Sequence, residues 1–471
     1  MNSKQYYLDI FKVSQEQLKV LTDTALNSGG DFTDLYFEHT TFFNLLLKDG
    51  VVSSGGFHID FGVGIRVLKG EKTGYAYSEN TEMADMLQAA KAAAAIAIGT
   101  CGNRKYMPVS DKRYDLYPMK QNWRDCSAET FLPFLKELEK EIFSRDSRII
   151  KVIARMSDSV SDVMMYNSLG ELTCETRPMG SVTATAVFQQ DGKTENKTAS
   201  RSFRIGAELI GSALVRELAD EVVKGIDERF EATRPKGGQM PVVMGAGASG
   251  ILLHEAMGHA FEADFNRKGQ SIFSDKMGKQ VCPEGVNVVD DGTVAFNRGS
   301  GNYDDEGVPA QKTYMIRNGV LESYLHDRIS ASWYGVSPTG NGRRENFRYN
   351  PIPRMRATYM ESGNADPSGI IADVKQGIYV DEFSNGQVKI GEGDFTFFVK
   401  SGYLIENGHL TAPIKDINII GNGPQALADI VAVGNDLKID NGTWTCGKEQ
   451  SVPVSCGMPT VMVSNLVVGG E

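Results

Sequence analysis

The segment His254-Glu255-Ala-Met-Gly258-His259 constrains the fold of this chain more than any other. It places two imidazoles and a carboxylate within six residues, directly after a short apolar segment and a glycine-rich turn. Neutral imidazole is the commonest protein ligand for zinc, and a Glu beside the first His can act as a general base. In a regular α-helix, side chains five residues apart diverge by roughly 140°. We therefore expect the helix to be underwound here, for example by a π-type turn, or to end here, with Gly258 easing the deviation.

A dinucleotide-binding pattern overlaps the same region. Pro241-Val-Val-Met244 predicts a strand, and Gly245-Ala-Gly247-Ala-Ser-Gly250 matches the G-x-G-x-x-G fingerprint. A Rossmann unit places a second parallel strand soon after its helix, whereas here Phe265-Asn-Arg-Lys-Gly269 breaks the chain and no apolar strand follows closely. We interpret the glycines as the turn that positions the metal helix. The glycine pattern alone leaves open the hypothesis that the chain is a nucleotide-dependent oxidoreductase.

The simplest alternative to a metal site is that both histidines are ordinary helix residues, solvated or hydrogen-bonded. The chain has six histidines in 471 residues, and two of them share one short helix with an intervening Glu. That concentration favours a metal site over the simpler interpretation.

Charge and cysteine spacing exclude several classes of protein. The chain has 49 Lys and Arg against 60 Asp and Glu, a net charge of −11, which argues against direct binding to nucleic acid. No apolar run reaches the ~20 residues that a membrane span needs, and the first residues lack the layout of a signal peptide. The six scattered cysteines form no CxxC pair. We therefore expect free thiols and a cytoplasmic protein without a membrane segment.

The length of the chain predicts two or three domains. Residues 231–239 are polar and contain a proline and two glycines, which is the composition of a linker. We expect an N-terminal mixed α/β domain over residues 1–230 and a C-terminal, mainly β catalytic domain over residues 240–471. The fold class is then α+β.

The N-terminal half alternates helices and strands. Ser14-Gln-Glu-Gln17 predicts a capping box at the start of a helix. Hydrophobic periodicity predicts further helices at Thr81–Ile98, Ala128–Arg145 and Ile205–Phe230. Strands are predicted at Asp34–Leu47, His58–Leu68 and Thr73–Tyr77, with several more between residues 149 and 199.

The C-terminal half has a different composition, because 33 of the 50 glycines lie after residue 230. Asn-Gly pairs between apolar runs are typical of hairpin turns, and they occur at Arg317-Asn-Gly319, Ser384-Asn-Gly386 and Glu406-Asn-Gly408. We therefore expect a β-barrel or a curved sheet that carries the histidine helix.

A catalytic zinc usually has three protein ligands, so a third must accompany His254 and His259. Glu262 and Asp264 lie close in sequence, and each can either orient a ligating histidine or face solvent. His326, His409 and Cys446 are the other candidates. Lone histidines among strands are more often core or surface residues, and a single buried cysteine is ordinarily a small hydrophobe. Spacing alone leaves the third ligand open.

Several blocks of this sequence resemble one peptidase family. His254-Glu-Ala-Met-Gly-His-Ala-Phe-Glu-Ala-Asp-Phe-Asn-Arg-Lys-Gly269 is similar to the HExxxH segment of the TldD side of the TldD/PmbA peptidases, which are often labelled modulators of DNA gyrase. Further similar blocks cover nearly the whole chain, namely Gly62-Val-Gly-Ile-Arg66, Thr73-Gly-Tyr-Ala-Tyr77, Tyr303-Asp-Asp-Glu-Gly307, Asn341-Gly-Arg-Arg-Glu-Asn346, Pro353-Arg-Met-Arg-Ala-Thr358, Gly402-Tyr-Leu-Ile-Glu-Asn-Gly408, Ile419-Ile-Gly-Asn-Gly423 and the segment Cys446–Val454.

The resemblance implies specific roles. His254, His259 and Cys446 would bind Zn²⁺, and Glu255 would be the catalytic base. The activity implied is a metallopeptidase that hydrolyses unfolded or short peptides by Glu-assisted attack of metal-bound water. The family forms dimers, and a chain that carries the histidine motif resembles the active subunit, paired with itself or with a PmbA-like subunit.

A second hypothesis comes from a different class of protein. The chain could be a non-catalytic binding or regulatory protein whose histidine motif is structural, acting on a partner such as gyrase. The metal content of the purified protein discriminates between the two, because the peptidase needs about one zinc per active chain and the binding protein needs none.

Overall fold

The computed structural model describes residues 2–95, 106, 108–109, 114–247 and 249–469, without the side chains of residues 384 and 385. The α-helices are α1 Lys4–Phe11, α2 Gln15–Leu26, α3 Met83–Ala94, α4 Ala128–Arg145, α5 Ser212–Val223, α6 Ile226–Glu231, α7 Gly250–Leu253, α8 Ala263–Arg267, α9 Arg328–Tyr334, α10 Pro367–Ala372 and α11 Gly423–Ala428.

The strands of the N-terminal half are β1 Phe32–Lys48, β2 Val51–Lys69, β3 Lys72–Ser78, β4 Ile149–Asn167, β5 Leu172–Gln190 and β6 Lys193–Phe203. Those that follow are β7 Gly238–Met244, β8 Val288–Asp291, β9 Lys312–Arg317, β10 Val320–Leu321, β11 Gly342–Arg343, β12 Ile352–Pro353, β13 Ala357–Met360, β14 Gln376–Val388, β15 Asp394–Glu406, β16 His409–Ile414, β17 Ile417–Asn422, β18 Ile430–Val433, β19 Lys438–Ile439, β20 Thr445–Lys448, β21 Gln450–Pro453, β22 Ser455–Met458 and β23 Val461–Gly469.

The N-terminal half is built on one antiparallel sheet in the order β3-β2-β1-β4-β5-β6. Helices cover one face of this sheet in two groups, because alternate residues of the long strands are apolar on that side. Leu35 and Phe37 of β1 pack with α1, α2 and α3, and Leu45 and Leu47 of the same strand pack with α4 and α5. The opposite face meets the C-terminal half, where Phe347 packs against Tyr36 and its neighbours.

Most predicted elements of this half are confirmed, and one is wrong. Helix α4 spans the predicted residues, and the Ser14–Gln17 capping box is present at α2. The helix predicted over Thr81–Ile98 is described as α3, and residues 96–98 lie outside the described part. The single helix predicted over Ile205–Phe230 is instead α5 and α6, because Gly225 between them adopts a positive φ of 72° that interrupts the helix.

The C-terminal half contains a closed five-stranded barrel. Its strands pair in the order β7-β23-β17-β15-β14, and β14 also pairs with β7 to close the ring. A second sheet has the order β10-β9-β8-β13-β22-β19, and β20 and β21 form a separate two-stranded hairpin. The predicted α+β class with a barrel-bearing C-terminal half is therefore confirmed, while the exact domain boundaries at residues 230 and 240 stay a prediction.

Two of the three predicted Asn-Gly turns are hairpin turns, and one is not. Asn318-Gly319 joins β9 to β10, and Asn407-Gly408 joins β15 to β16, with both residues of each pair at positive φ. Residues 384–386 instead lie inside β14, paired with β15. A Cβ on Gly386 would lie 2.1 Å from the ring of Phe397, so this glycine is explained by a close approach between strands.

The strand before the histidine motif belongs to the barrel. β7 pairs in parallel with β14 and antiparallel with β23. A dinucleotide-binding unit would place it in an open parallel sheet, so the fold does not support the nucleotide interpretation. Within the described residues, no helix combines the length and the hydropathy needed to cross a membrane.

Candidate metal centre

The helix that carries the histidine motif changes its winding at the motif. It begins as α7, continues as a π-helical turn over His254–Gly258, and ends as a 3-10 turn over His259–Phe261. A π-helix holds more residues per turn than an α-helix, so it brings side chains five residues apart towards the same side. The underwinding expected from the histidine spacing is confirmed. The ring centroids of His254 and His259 lie 5.2 Å apart.

Gly258 has a different role from the one that the sequence suggested. Its φ and ψ are −56° and −47°, which any residue in a helix adopts. A Cβ at this position would lie 2.1 Å from the Sδ atom of Met355. The glycine therefore provides room for Met355 against the distorted helix.

The turn before the helix shows the same use of glycine. A Cβ on Gly250 would lie 2.5 Å from the backbone nitrogen of Gly457 in β22. Gly247 has a φ of 107°, and residue 248 of the predicted turn lies outside the described residues. The close contact with β22 fixes where α7 begins and hence where the histidines lie.

Cys446 joins the two histidines from the far end of the chain. One nitrogen of each imidazole and the sulfur of Cys446 all lie within 4.8 Å of one another, and all three residues are buried. The Sγ atom of Cys446 is 3.3 Å from Nε2 of His259. Among the described residues, this is the cluster of three or more His, Cys, Asp or Glu side chains with the spacing of a metal site.

The hairpin of β20 and β21 brings Cys446 to the histidines. Arg354 fixes the hairpin, since it donates hydrogen bonds to the carbonyl oxygens of Cys446 at 2.7 Å and of Gln450 at 2.8 Å. The guanidinium of Arg354 is fully buried and lies 4.0 Å from Oε1 of Glu262. The hairpin and the histidine helix are thus connected through one buried cation.

Glu262 orients His259. Its Oε2 atom accepts a hydrogen bond from Nδ1 of His259 at 3.0 Å, and the Glu262 side chain is fully buried. Burial disfavours a carboxylate, but Lys448 and His259 outweigh it and lower the pKa of Glu262 to about 2. With Nδ1 donating to Glu262, Nε2 of His259 is the atom that faces Cys446, and it would bind a metal ion once its proton is released.

Lys448 is a residue of the centre that sequence reasoning missed. Its Nζ donates to Glu262 at 2.9 Å and to Asp264 at 2.8 Å. Asp264 therefore pairs with Lys448 and does not contact a histidine. A signal for Lys448 was present, because residues two apart on a strand share a face and Lys448 follows Cys446 by two.

The donor set fits a zinc ion on three observations. Both ring nitrogens of His254 are buried without a hydrogen-bond partner, which is costly unless they bind something else. Burial raises the pKa of the Cys446 thiol, but the neighbouring His254 and His259 have a larger, opposite effect. The net result is a pKa of about 4, so the thiolate form is favoured. Tetrahedral zinc bonds separate a sulfur and a nitrogen ligand by about 3.6 Å, close to the observed 3.3 Å.

Glu255 lies beside this cluster. Its Oε2 atom is 4.0 Å from Nε2 of His259, and a quarter of the side chain is exposed. A partly exposed carboxylate next to this buried cluster can exchange protons with water or a substrate.

The other candidate ligands lie elsewhere. His326 is buried against the rings of Tyr324 and Tyr334, and its Nδ1 lies 3.3 Å from Oγ of Ser330. His409 is exposed on β16, and Cys456 is buried in β22 outside the cluster.

Family models cover most of the chain. Residues 33–97 match PmbA/TldA metallopeptidase domain 1, residues 122–226 match the central domain, and residues 237–470 match the C-terminal domain. The last of these contains all three residues of the cluster.

Individual proteins show the same likeness. The chain is 36% identical to the Metalloprotease TldD homolog of Haemophilus influenzae over 97% of each chain. It is 33% identical to the Zinc metalloprotease TldD homolog of Saccharolobus solfataricus over 54% of this chain and 57% of that protein. The crystal structure of TldE from Thermococcus kodakarensis has a TM-score of 0.76 at 18% identity, over 96% of this chain and all of the other, which shows a common fold.

Proposed function

The chain belongs to the PmbA/TldA metallopeptidase family, and on that premise we propose that it is a zinc-dependent peptidase that hydrolyses unfolded or short peptides. In this proposal His254, His259 and Cys446 bind the ion, and Glu255 is the catalytic base. The name of the Saccharolobus solfataricus relative, a zinc metalloprotease, supports the choice of metal.

The observation that carries the proposal is the environment of His254. The residue is only 1% exposed, and neither ring nitrogen has a hydrogen-bond partner among the described residues. An ordinary buried histidine satisfies at least one ring nitrogen, because leaving a buried polar group unpaired costs about 1–3 kcal/mol. A metal ion shared with His259 and Cys446 removes this cost and explains why the π-helical turn is maintained.

The residues of the centre divide the chemistry among them. When bound, zinc polarises a peptide carbonyl and lowers the pKa of a water molecule. Glu255 accepts the proton of the attacking water and returns it to the leaving amine, a role that typically contributes about 10²–10⁴-fold to the rate. Glu262 holds the proton on Nδ1 of His259, so that Nε2 stays available as a ligand.

The strand that carries Cys446 supports the proposal that the substrate binds in an extended conformation. The hairpin of β20 and β21 has no third strand among the described residues. A strand edge binds a peptide through its backbone, which tolerates many side chains. On this hairpin the carbonyl oxygens of Cys446 and Pro453 already accept hydrogen bonds from Arg354 and Arg343, so a peptide would pair with the remaining backbone groups. This recognition mode fits unfolded or short peptides and rejects folded proteins, whose backbones are already paired.

We also propose that the protein acts as a dimer, with itself or with a PmbA-like subunit. The likeness of its fold to TldE supports such a pairing. Apolar side chains in the first half of β2 are strongly exposed, including Val51 at 68% and Phe57 at 62%, as is common at protein interfaces. The described cysteines are all free thiols, which supports the cytoplasm as its compartment.

The proposal is tested by removing and restoring the metal. Purified protein, alone and with a co-expressed PmbA-like subunit, is assayed on an unstructured peptide before chelation, after chelation and after addition of zinc. We expect hydrolysis to disappear with the metal and to return with it. Hydrolysis that persists after complete removal of zinc would contradict the proposal, and a zinc-loaded protein that cleaves nothing in either form would favour the binding-protein hypothesis.

A further inference from the structure

A cavity separate from the metal cluster lies between the two halves of the molecule. It has a volume of about 290 Å³, near the lower end of the range for small-ligand pockets, about 300–1,000 Å³. One wall is the face of the N-terminal sheet that the helices leave uncovered, and the other wall is the C-terminal half. None of His254, His259 and Cys446 lines it.

The charges of the cavity lining do not balance. Among the described residues, six arginines and three carboxylates line it: Arg177, Arg204, Arg298, Arg343, Arg344 and Arg356 against Glu38, Asp305 and Glu345. The excess is three positive charges. A low-dielectric cavity with such an excess attracts an anion strongly.

The carboxylates of the lining are already engaged. Asp305 pairs with Arg177, and Glu38 accepts hydrogen bonds from the hydroxyl of Thr40 and the backbone N–H of Phe347. Burial raises the pKa of Glu38 to about 7, so this group carries only part of a negative charge near neutrality. Glu345 accepts a hydrogen bond from the backbone N–H of Ser451. Outside the lining, Glu175 also pairs with Arg177 and Asp34 with Arg344, so the other four arginines are the ones left without an ion pair among the described residues.

Four of the arginines have no carboxylate within 4.0 Å among the residues that the structure describes: Arg204, Arg298, Arg343 and Arg356. The hydrogen bonds that these arginines donate go to neutral groups. Arg356 donates to the carbonyl oxygen of Gly340 at 2.7 Å, and Arg298 donates to the hydroxyl of Ser202 at 2.6 Å. Burial and the neighbouring Arg204 lower the pKa of Arg298 to about 10, which shows how strongly this environment disfavours the positive charge.

Among these four arginines, Arg204 is the one with a buried side-chain nitrogen that lacks a hydrogen-bond acceptor among the described residues. It is 8% exposed, and its Nε atom is buried without any hydrogen-bond acceptor. The ring of Tyr117, 5.7 Å from the guanidinium carbon, is the neighbour on one side. A buried guanidinium with an unbonded nitrogen and no carboxylate at ion-pair distance is costly, and an anionic ligand in the cavity would reduce that cost.

We propose that this cavity is an anion site that binds a small oxyanion, a carboxylate or a phosphate, through Arg204 and its neighbouring arginines. Guanidinium groups match the paired oxygens of both anions. The oxyanion has two possible sources, a free ion in solution or the terminal carboxylate of a peptide.

Two arginines of this cavity also contact the hairpin of β20 and β21, which carries Cys446. Arg298 donates to the carbonyl oxygen of Trp444 at 2.8 Å and to the hydroxyl of Thr445 at 3.2 Å, and Arg343 donates to the carbonyl oxygen of Pro453 at 2.7 Å. An anion that neutralises these arginines therefore stabilises both strands that position Cys446.

The test measures binding directly and needs no peptidase activity. Wild-type protein, Arg204→Gln and the control Arg317→Gln are melted in increasing inorganic phosphate or N-acetylglycine at constant ionic strength, with N-acetylglycinamide as the uncharged comparison. Arg317 is a suitable control because it is an exposed residue that pairs with Glu322 and does not line the cavity. We expect a saturable rise in Tm for the wild type and for Arg317→Gln, and its loss in Arg204→Gln. A response to N-acetylglycine but not to phosphate identifies a peptide terminus, and the reverse identifies a free ion.

Two outcomes overturn the proposal. One is an equal response in Arg204→Gln and the wild type, which is what binding of phosphate at the metal centre would produce. The other is the absence of saturable binding when the wild type is titrated calorimetrically with phosphate and with N-acetylglycine. The second measurement needs no variant, so the proposal is testable even if Arg204→Gln does not fold.

Discussion

The Sγ atom of Cys446 lies 3.3 Å from Nε2 of His259, although 187 positions separate the two residues in the chain. The contact joins the hairpin of β20 and β21 to the histidine helix at a point where both are buried. These groups are brought together over this sequence distance, and a π-helical turn holds the two rings, so they form a preorganised set of candidate ligands. The predictions below follow from this set and from the groups that hold it.

Removing a ligand should remove the zinc. In Cys446→Ser the thiolate is replaced by a hydroxyl, a much poorer zinc ligand, and His259→Ala removes an imidazole outright. We expect both variants to fold and to carry far less than one zinc per chain by elemental analysis. Cys456→Ala is the matched control, because Cys456 is equally buried but lies outside the cluster, and it should retain the zinc of the wild type. Full zinc occupancy in Cys446→Ser would show that the ligand set is wrong.

Weakening the support of His259 should weaken metal binding without abolishing it. Glu262→Gln keeps an acceptor for Nδ1 of His259 but removes the negative charge that favours this orientation. Loss of such a partner typically reduces metal affinity by about 10–100-fold. Competition with a calibrated zinc chelator measures the change. An affinity equal to that of the wild type would mean that Glu262 does not act through His259.

The buried cation Lys448 should contribute strongly to stability. In Lys448→Met, Glu262 and Asp264 lose the ammonium that neutralises them, and breaking a buried pair in this way costs about 3–5 kcal/mol. The free energy of unfolding is measured by urea denaturation. Lys389→Met, whose ion pair with Glu392 is exposed, should leave it unchanged. Equal effects of the two substitutions would contradict the role of Lys448.

Acid should destabilise the fold partly through His326. Burial lowers the pKa of His326 to about 4, whereas the unfolded chain has a value near 6.5. Between these values the unfolded state binds a proton that the folded state does not, so stability is lost as the pH falls from about 6.5 to about 4. The shift corresponds to about 3 kcal/mol. His326→Gln should show a correspondingly weaker loss of unfolding free energy between pH 7.5 and pH 4.5, and the exposed control His409→Gln should behave as the wild type. A pH dependence that is unchanged in His326→Gln would contradict this assignment.

Local features of the site were predictable from the sequence. The distance of five residues between His254 and His259 is incompatible with one face of a regular helix, so the π-helical turn could be expected from geometry alone. The helix Ala128–Arg145 was predictable for a similar reason, since its cap and apolar periodicity are local. Cys446 was identified by family resemblance, because no spacing rule connects residues that meet only after folding.

Other features depend on tertiary contacts that no local pattern records. Arg354 and Lys448 hold the hairpin through buried hydrogen bonds to segments far away in the chain. The Asn-Gly pair at residues 385–386 has the sequence of a turn but lies within β14, because packing against Phe397 of β15 requires a glycine there. In each case tertiary packing decides the outcome, and the sequence carries only a local propensity.

The central claim is that the cluster is a catalytic zinc site with Glu255 as its base, and Glu255→Gln tests it most directly. Glutamine keeps the size and hydrogen bonding of the side chain but cannot accept a proton at neutral pH. Zinc content and hydrolysis of an unstructured peptide are measured together on the wild type and the variant, each with its partner subunit where one is required. We predict the same zinc content in the variant as in the wild type, and a loss of turnover of at least about 10²–10⁴-fold in the variant. Undiminished hydrolysis in zinc-loaded Glu255→Gln would contradict the account.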